Sequence, residues 1–159
     1  MKTLKLTKRF GPYAAAHRQY RHSGHCKKIH GHNWSFEFTF VCDKLDECGF
    51  VVDVGLLGWV RTRVLEDMFD HTLILQKDDP ERKLFELFLE KQGLAKIVWV
   101  EDGSMEGLAR LLYQKVEEVL SGEWANLRTR GVRLARVTVW EDERNFVEFE
   151  PENTPRSAP

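Results

Sequence analysis

The chain lacks any long hydrophobic run. No apolar stretch approaches the roughly 20 residues that a membrane-spanning helix needs. The first ten residues, MKTLKLTKRF, also lack the apolar centre of a signal peptide. We therefore expect a cytoplasmic protein with no membrane partner.

The chain also lacks an excess of charge of either sign. Its 24 lysines and arginines almost balance its 25 aspartates and glutamates, so no long-range field favours DNA, RNA or another polyanion. A small molecule is the expected partner. The length of 159 residues suits one domain with a substantial buried core.

Clustered cysteines are absent too. The three cysteines, Cys26, Cys42 and Cys48, are an odd number, which argues against a disulfide framework. The thiol-rich ligand sets of structural zinc sites are also missing. Positive charge favours the reactive thiolate form, so Cys26, beside Lys27 and Lys28, is the cysteine expected to react. The other two fit small apolar packing or idle exposed thiols.

Histidine, in contrast, is concentrated in one stretch, since five of the six histidines lie within residues 14–34. Residues two apart on a strand point to the same side, so His30 and His32 can bring two imidazoles to one metal ion. Catalytic zinc usually takes three protein ligands and keeps one position open. His17, at the end of the preceding predicted strand, is the best candidate for the third ligand.

Other readings of this stretch remain open. His22 and His25 lie in the connecting loop, where they can meet an anionic substrate instead of a metal ion. The whole tract can also be a set of surface histidines, or bind metal only adventitiously.

Alternating apolar residues predict strands at both ends of the chain. Residues 2–10 alternate apolar and basic side chains, and this strand is expected to run on towards His17. A second strand, rich in aromatic residues at a period of two, is predicted over 34–40, just after His32. Residues 132–150 alternate again around a turn, which predicts a closing hairpin.

Two amphipathic helices are predicted between these strands. The first covers residues 54–69 with Asp53 as its N-cap, and the second begins after Ser104, a plausible N-cap, and ends near Gly122. The region 76–101 contains a short helical pattern and a short strand pattern, and we interpret it as an insertion between the helices.

The order ββααββ predicts an α+β fold, in which one four-stranded antiparallel sheet carries two helices on one face. We expect a single domain over residues 1–150 and a flexible tail over 151–159. The exposed edges of such a sheet favour oligomerisation.

Two acidic positions outside the histidine tract are further candidates. Asp70 precedes His71, so its carboxylate can orient the imidazole for proton transfer. Glu141 ends a predicted strand, where an acid is usually solvated, yet a carboxylate in a pocket can bind an amidine-like edge through two hydrogen bonds.

Together these motifs resemble the family of 6-pyruvoyltetrahydropterin and 6-carboxytetrahydropterin synthases. The similarity covers most of the chain, in the order YAAAHR, CKKIHGHNW, GFVVDV, FDHTLIL, GSMEGLAR and VTVWED. It implies a tunnelling fold that assembles through its sheet edges, typically into a hexamer of two stacked trimers with active sites at subunit interfaces.

The resemblance also implies roles for individual residues. Zinc would be held by His17, His30 and His32. The proton-transfer set would be Cys26, Asp70 and His71.

The implied substrate contacts lie elsewhere. Glu141 falls where the family anchors the guanidine-like edge of the pterin. Ser104 and Glu106 keep the hydroxyl and the acid of the segment before the second long helix, although Gly103-Ser104 replaces the usual Pro-Thr. An Asn that commonly follows the Asp-His pair is absent from HTLILQ.

The implied substrate is 7,8-dihydroneopterin triphosphate, and no organic cofactor is needed. Three residues separate Cys26 from His30, a spacing similar to that of the bacterial 6-carboxytetrahydropterin synthases of queuosine and deazapurine biosynthesis. These are carbon–carbon lyases that release triphosphate and acetaldehyde. The pyruvoyl-forming enzymes usually carry a longer gap.

Two further functions stay open. An aldolase-like relative that cleaves dihydroneopterin phosphate for folate synthesis commonly carries a Glu before the His-Gly-His motif, and residues 14–34 contain none. A zinc-stabilised pterin-binding protein without catalysis is the non-enzymatic alternative, although the joint presence of Cys26, Asp70 and His71 argues against it.

Overall fold

The computed structural model describes residues 4–152 of the chain. The first three residues of the chain and most of the predicted tail, residues 153–159, lie outside the described part. The elements follow one another as β1 (Leu6–His17), β2 (His30–Val41), α1 (residues 54–69), β3 (Thr72–Gln76), α2 (residues 82–90), β4 (Lys96–Val100), α3 (Met105–Ser121), α4 (Ala125–Arg128), β5 (Arg133–Trp140) and β6 (Phe146–Phe149).

The sheet is mixed and has six strands in the order β4-β3-β1-β2-β5-β6, so the predicted four-stranded antiparallel sheet is wrong. Strands β1, β2, β5 and β6 do form an antiparallel unit. Strand β3 then pairs in parallel with β1, and β4 in parallel with β3. Parallel neighbours need a crossover connection, and α2 supplies the one between β3 and β4.

The predicted short helix and short strand within residues 76–101 are both present, as α2 and β4, and β4 is the edge strand of the sheet. Helices α1 and α3 bury their apolar sides in one core with the aromatic face of β2. Helix α2 instead packs through Phe85 against Leu73 and Leu75. Because Ile74 lies in the main core and its two neighbours do not, α2 covers the opposite face of β3. The expectation of helices on one face only is corrected accordingly.

The aromatic alternation of β2 forms the centre of the core, as predicted. Trp34, Phe36, Phe38 and Phe40 are all 0% exposed, and full burial of one such side chain contributes about 1.5–3 kcal/mol. The strand begins at His30, which is earlier than predicted, because the β1–β2 ladder continues to the pair of His17 and His30.

Both predicted helix starts are confirmed. The Asp53 carboxylate accepts a hydrogen bond from the backbone N–H of Gly55 (2.8 Å). The Ser104 hydroxyl oxygen accepts one from the backbone N–H of Gly107 (3.0 Å), and α3 ends before Gly122. Within residues 4–152, no helix is long and apolar enough to cross a membrane.

The cap at Ser104 gives a first testable expectation. Ser104→Ala should lower the free energy of unfolding by about 1 kcal/mol, because the N–H of Gly107 loses its acceptor. Urea denaturation of the variant beside wild type measures the difference. Ser104→Asn is the matched control, since its side chain can still accept the bond. Equal stability of all three proteins would contradict a capping role.

Candidate metal centre and its surroundings

Three histidines meet where β1 and β2 pair at one end of the sheet. The register places His17 opposite His30, and Ala15 opposite His32. The three imidazole centroids lie 4.6, 5.2 and 4.9 Å apart. The rings of His17 and His32 also contact the edge or face of buried Trp34. The strand pattern read from the sequence therefore brings the three predicted ligands together.

Two carbonyl groups fix the orientation of these rings. The Nδ1 of His17 lies 3.1 Å from the Gly103 carbonyl oxygen, and the Nδ1 of His30 lies 2.7 Å from that of Lys28. A carbonyl oxygen only accepts, so each Nδ1 carries the proton and donates. In a neutral ring the lone pair is then on Nε2, and the two Nε2 atoms face each other at 3.1 Å.

Glu141 completes the group of possible metal ligands. Sequence reasoning did not place this acid beside the histidines. The acid follows β5, and the turn after it is held by Asp142, whose carboxylate accepts from the backbone N–H of Arg144 and of Asn145. These bonds lower the pKa of Asp142. The Oε1 of Glu141 lies 2.6 Å from the Nε2 of His32. One ligand atom from each of the four residues lies within 4.8 Å of the others.

The surroundings favour the neutral form of His17 and of His32. Burial lowers the pKa of His17 to about 4, and the neighbouring His30 and His32 act in the same direction. Burial also lowers the pKa of His32, although the Glu141 carboxylate opposes this. A neutral imidazole is the form that binds a metal ion.

These residues fit a divalent metal ion. Lone pairs of two imidazoles converge without a proton between them, and the buried Nε2 of His32 has no hydrogen-bond partner within the described chain. A positive charge at the centre of the group satisfies all of these atoms. Imidazole nitrogen and carboxylate oxygen are the ligands of catalytic zinc sites.

Cys26 lies on a short 3₁₀ turn, His25–Lys27, which precedes β2 in the chain, and it is partly buried. Its carbonyl oxygen accepts a hydrogen bond from the backbone N–H of Gln19 (2.7 Å). The Gln19 side chain reaches Gly103, where an added β-carbon would lie 3.5 Å from Gln19 Nε2. The Gln19 side chain therefore lies near Gly103, but its buried Nε2 has no hydrogen-bond partner within residues 4–152.

Asp70 and His71 form the predicted hydrogen-bonded pair, with 2.8 Å between Asp70 Oδ1 and His71 Nδ1. The His71 side chain is 85% exposed, and its φ of 54° is uncommon for a residue other than glycine. Within the described residues, no hydrogen bond or ion pair joins this pair to Cys26 or to the histidine group. His71 and His32 do line the same shallow depression, of about 510 Å³, between β1, β2 and the start of β3.

The remaining candidates are placed as follows. Ser104 uses its hydroxyl oxygen as the α3 cap, and Glu106 is exposed on the first turn of that helix. His22 and His25 are exposed in the loop between the ligand strands. The structure brings neither histidine into the metal-binding group.

Comparison with known proteins identifies the relatives of the chain. The profile of the family described as 6-pyruvoyl tetrahydropterin synthase matches residues 5–152. A 6-carboxy-5,6,7,8-tetrahydropterin synthase of Aquifex aeolicus is 30% identical over 128 residues, which are 80% of this chain and 76% of that protein. One of Rickettsia felis is 37% identical over 78 residues, or 49% of this chain. The match spans only 56% of the length of the Rickettsia protein.

Solved structures agree on the fold. An uncharacterised protein of Wolinella succinogenes superposes with a TM-score of 0.79 at 18% identity, covering 96% of this chain and all (100%) of that one. The 6-pyruvoyl tetrahydropterin synthase of Plasmodium vivax gives a TM-score of 0.69 at 17% identity, with coverage of 96% and 100%. At these identities the likeness concerns the fold alone.

Proposed function

The chain belongs to the 6-pyruvoyl tetrahydropterin synthase family, and we propose that it is a zinc-dependent 6-carboxytetrahydropterin synthase. The observation that carries the proposal is the convergence of the imidazoles of His17, His30 and His32, with Cys26 on the adjoining turn. The names of the Aquifex and Rickettsia relatives and the three-residue gap between Cys26 and His30 both support the carboxy product.

The proposed substrates are 7,8-dihydroneopterin triphosphate and one water molecule, and the products are the carboxylated pterin, acetaldehyde and triphosphate. Bound zinc supplies a Lewis acid that makes the side-chain hydroxyls easier to deprotonate. The thiolate of Cys26 accepts a proton from the side chain, as a general base does. The Glu141 carboxylate accepts two N–H bonds from the guanidine-like edge of the pterin.

Asp70 and His71 handle the second proton transfer in this proposal. The Asp70 carboxylate accepts a hydrogen bond from the Nδ1–H of His71. The Nε2 of His71 is then free to exchange a proton with the substrate. The large exposure of His71 suits a residue that is covered by substrate or by another subunit. We propose a homohexamer on this basis, together with the open edges of the sheet at β4 and β6. Ser104 and Glu106 remain proposed substrate contacts.

Product identification tests the function directly. The zinc-loaded protein, incubated with 7,8-dihydroneopterin triphosphate, should yield 6-carboxytetrahydropterin by mass spectrometry, with acetaldehyde and triphosphate in equal amounts. The 6-pyruvoyl product would instead assign the chain to the other branch of the family. Cleavage to a hydroxymethyl pterin would indicate the aldolase-like activity. Stable binding of a pterin without turnover would overturn the enzymatic proposal.

A further inference from the structure

Three consecutive residues at the end of β1 are each bound to a different part of the molecule. The Nδ1 of His17 donates to a backbone carbonyl oxygen before α3 (3.1 Å). The guanidinium of Arg18 donates to the carboxylate of Asp79. The backbone N–H of Gln19 donates to the carbonyl oxygen of Cys26 (2.7 Å), on the turn His25–Lys27. In the chain, Arg18 thus lies between a candidate metal ligand and the residue that holds the cysteine turn.

The contact between Arg18 and Asp79 consists of two hydrogen bonds and is shielded from water. The Nε of Arg18 lies 2.8 Å from Oδ2 of Asp79, and its Nη2 lies 3.0 Å from Oδ1. The two side chains are only 14% and 1% exposed. Two parallel bonds of this kind fix the relative orientation of the partners as well as their distance. Removing one partner leaves the other charge buried and uncompensated, so the pair holds its two segments firmly together.

Asp79 is itself fixed in the connection between β3 and α2. Its backbone N–H donates to the carbonyl oxygen of Gln76 (3.1 Å), and its own carbonyl oxygen accepts from the N–H of Arg82 (3.0 Å). Its Oδ1 also accepts from the backbone N–H of Glu81 (2.9 Å). Strand β3, which ends at Gln76, pairs with both β1 and β4. The carboxylate is therefore a point of attachment that belongs to the sheet.

The side chains of His17 and Arg18 leave the chain on opposite faces of the sheet. The ring of His17 contacts Trp34 of the main core. The guanidinium of Arg18 lies 5.2 Å from the centre of the Phe85 ring, which belongs to the cluster under α2. The end of β1 is thus held on one face through an imidazole and on the other through a guanidinium. Side chains locked by packing and hydrogen bonds in this way keep the groups attached to them in a fixed geometry.

We propose that Asp79 is a positioning residue, which acts through Arg18 to fix the backbone that carries His17 and holds the cysteine turn. Without this attachment the turn can move relative to the histidines, and a displacement of about 1 Å can lower a rate about 10²-fold. The attachment stands on the geometry, whereas its consequence for turnover rests on the proposed function.

The neighbouring acid provides a matched control. Asp78 pairs with Arg21 of the same loop, but the side chains of these two residues are 55% and 63% exposed. An exposed pair of this kind contributes little to stability. Asp78→Asn therefore removes a carboxylate and an arginine contact from the same two segments without touching the buried pair.

Hydrogen exchange and steady-state kinetics test the proposal in Asp79→Asn, whose amide oxygen can still accept from the N–H of Glu81. Exchange of the backbone amides of residues 18–28 should become about tenfold faster or more, because a hydrogen bond to a charged group is lost. With 7,8-dihydroneopterin triphosphate, kcat should fall about 10²-fold. The KM should stay unchanged, since no proposed substrate contact is removed. Asp78→Asn should match wild type in all three quantities.

A double variant separates positioning from stability. Arg18→Met combined with Asp79→Asn leaves no buried charge unpaired, so its melting temperature should exceed that of Asp79→Asn. Its exchange over residues 18–28 and its kcat should nevertheless stay altered. Wild-type exchange in both Asp79 variants would overturn the attachment. Faster exchange with an unchanged kcat would overturn the positioning role. Product identification with the wild-type protein judges the proposed function separately, since it involves neither variant.

Discussion

Replacing His30 and His32 together by alanine should remove the metal ion from the protein. Wild type is expected to retain about one zinc per chain after purification, as a site with three protein ligands does, and the double variant close to none. The physical reason is that these residues supply two of the converging nitrogen ligands. His17 and Glu141 alone form an incomplete set. Elemental analysis of both proteins, after dialysis against zinc-free buffer, measures the difference.

A second double variant makes this test specific. His22→Ala with His25→Ala removes the same number of imidazoles from the same tract, but from exposed loop positions. It should keep the zinc content of wild type. Equal zinc in the His30 and His32 double variant and in wild type would reject the assigned ligands. A loss in both double variants would instead indicate adventitious binding by the histidine-rich tract as a whole.

Strand β2 and the two helix N-caps were predictable because each depends on a short sequence pattern. The alternation of aromatic residues over 34–40 can be satisfied only by a strand with one apolar face. Asp53 and Ser104 are caps whose hydrogen bonds close within three residues. Each of these features needs no partner from elsewhere in the chain.

The parallel pairing of β3 and β4 was missed for the opposite reason. Strand β3 is buried along its whole length, so it shows no alternation, and its few apolar residues resemble a buried helix segment as much as a strand. Its neighbours, β1 and β4, are chosen by long-range packing. Nothing in residues 72–76 indicates that they extend an antiparallel sheet in the parallel direction.

The candidate site also has a part that short patterns predict and a part that long-range packing decides. The pair His30 and His32 follows from strand period alone, and His17 follows once two neighbouring strands are assumed. The carbonyl of Gly103 that orients His17 comes from 86 residues away, and the Glu141 carboxylate arrives from the end of β5. Carbonyl groups carry no sequence signal, so the ligand orientation could be obtained only from the structure.

Cys26→Ala should separate catalysis from metal binding. We expect kcat to fall by about 10²–10⁴-fold, the usual contribution of a positioned general acid or base, while the zinc content stays at the wild-type level. The thiol is not among the four grouped ligand residues. The turn that carries it is held by backbone bonds, from Gln19 to Cys26 (2.7 Å) and from Lys28 to His25 (2.9 Å). Alanine preserves these bonds, so the neighbouring ligands should not move.

Cys48→Ala is the matched control for this variant, because it removes an exposed thiol from the loop beside Arg130. Its kcat with 7,8-dihydroneopterin triphosphate should equal that of wild type. Triphosphate release gives the rate, and elemental analysis of the same samples gives the zinc content. Full activity of Cys26→Ala would eliminate the thiol as the general base. A parallel loss of zinc and activity would mean that Cys26 supports the metal centre instead, because a pure proton-transfer role leaves the metal content unchanged.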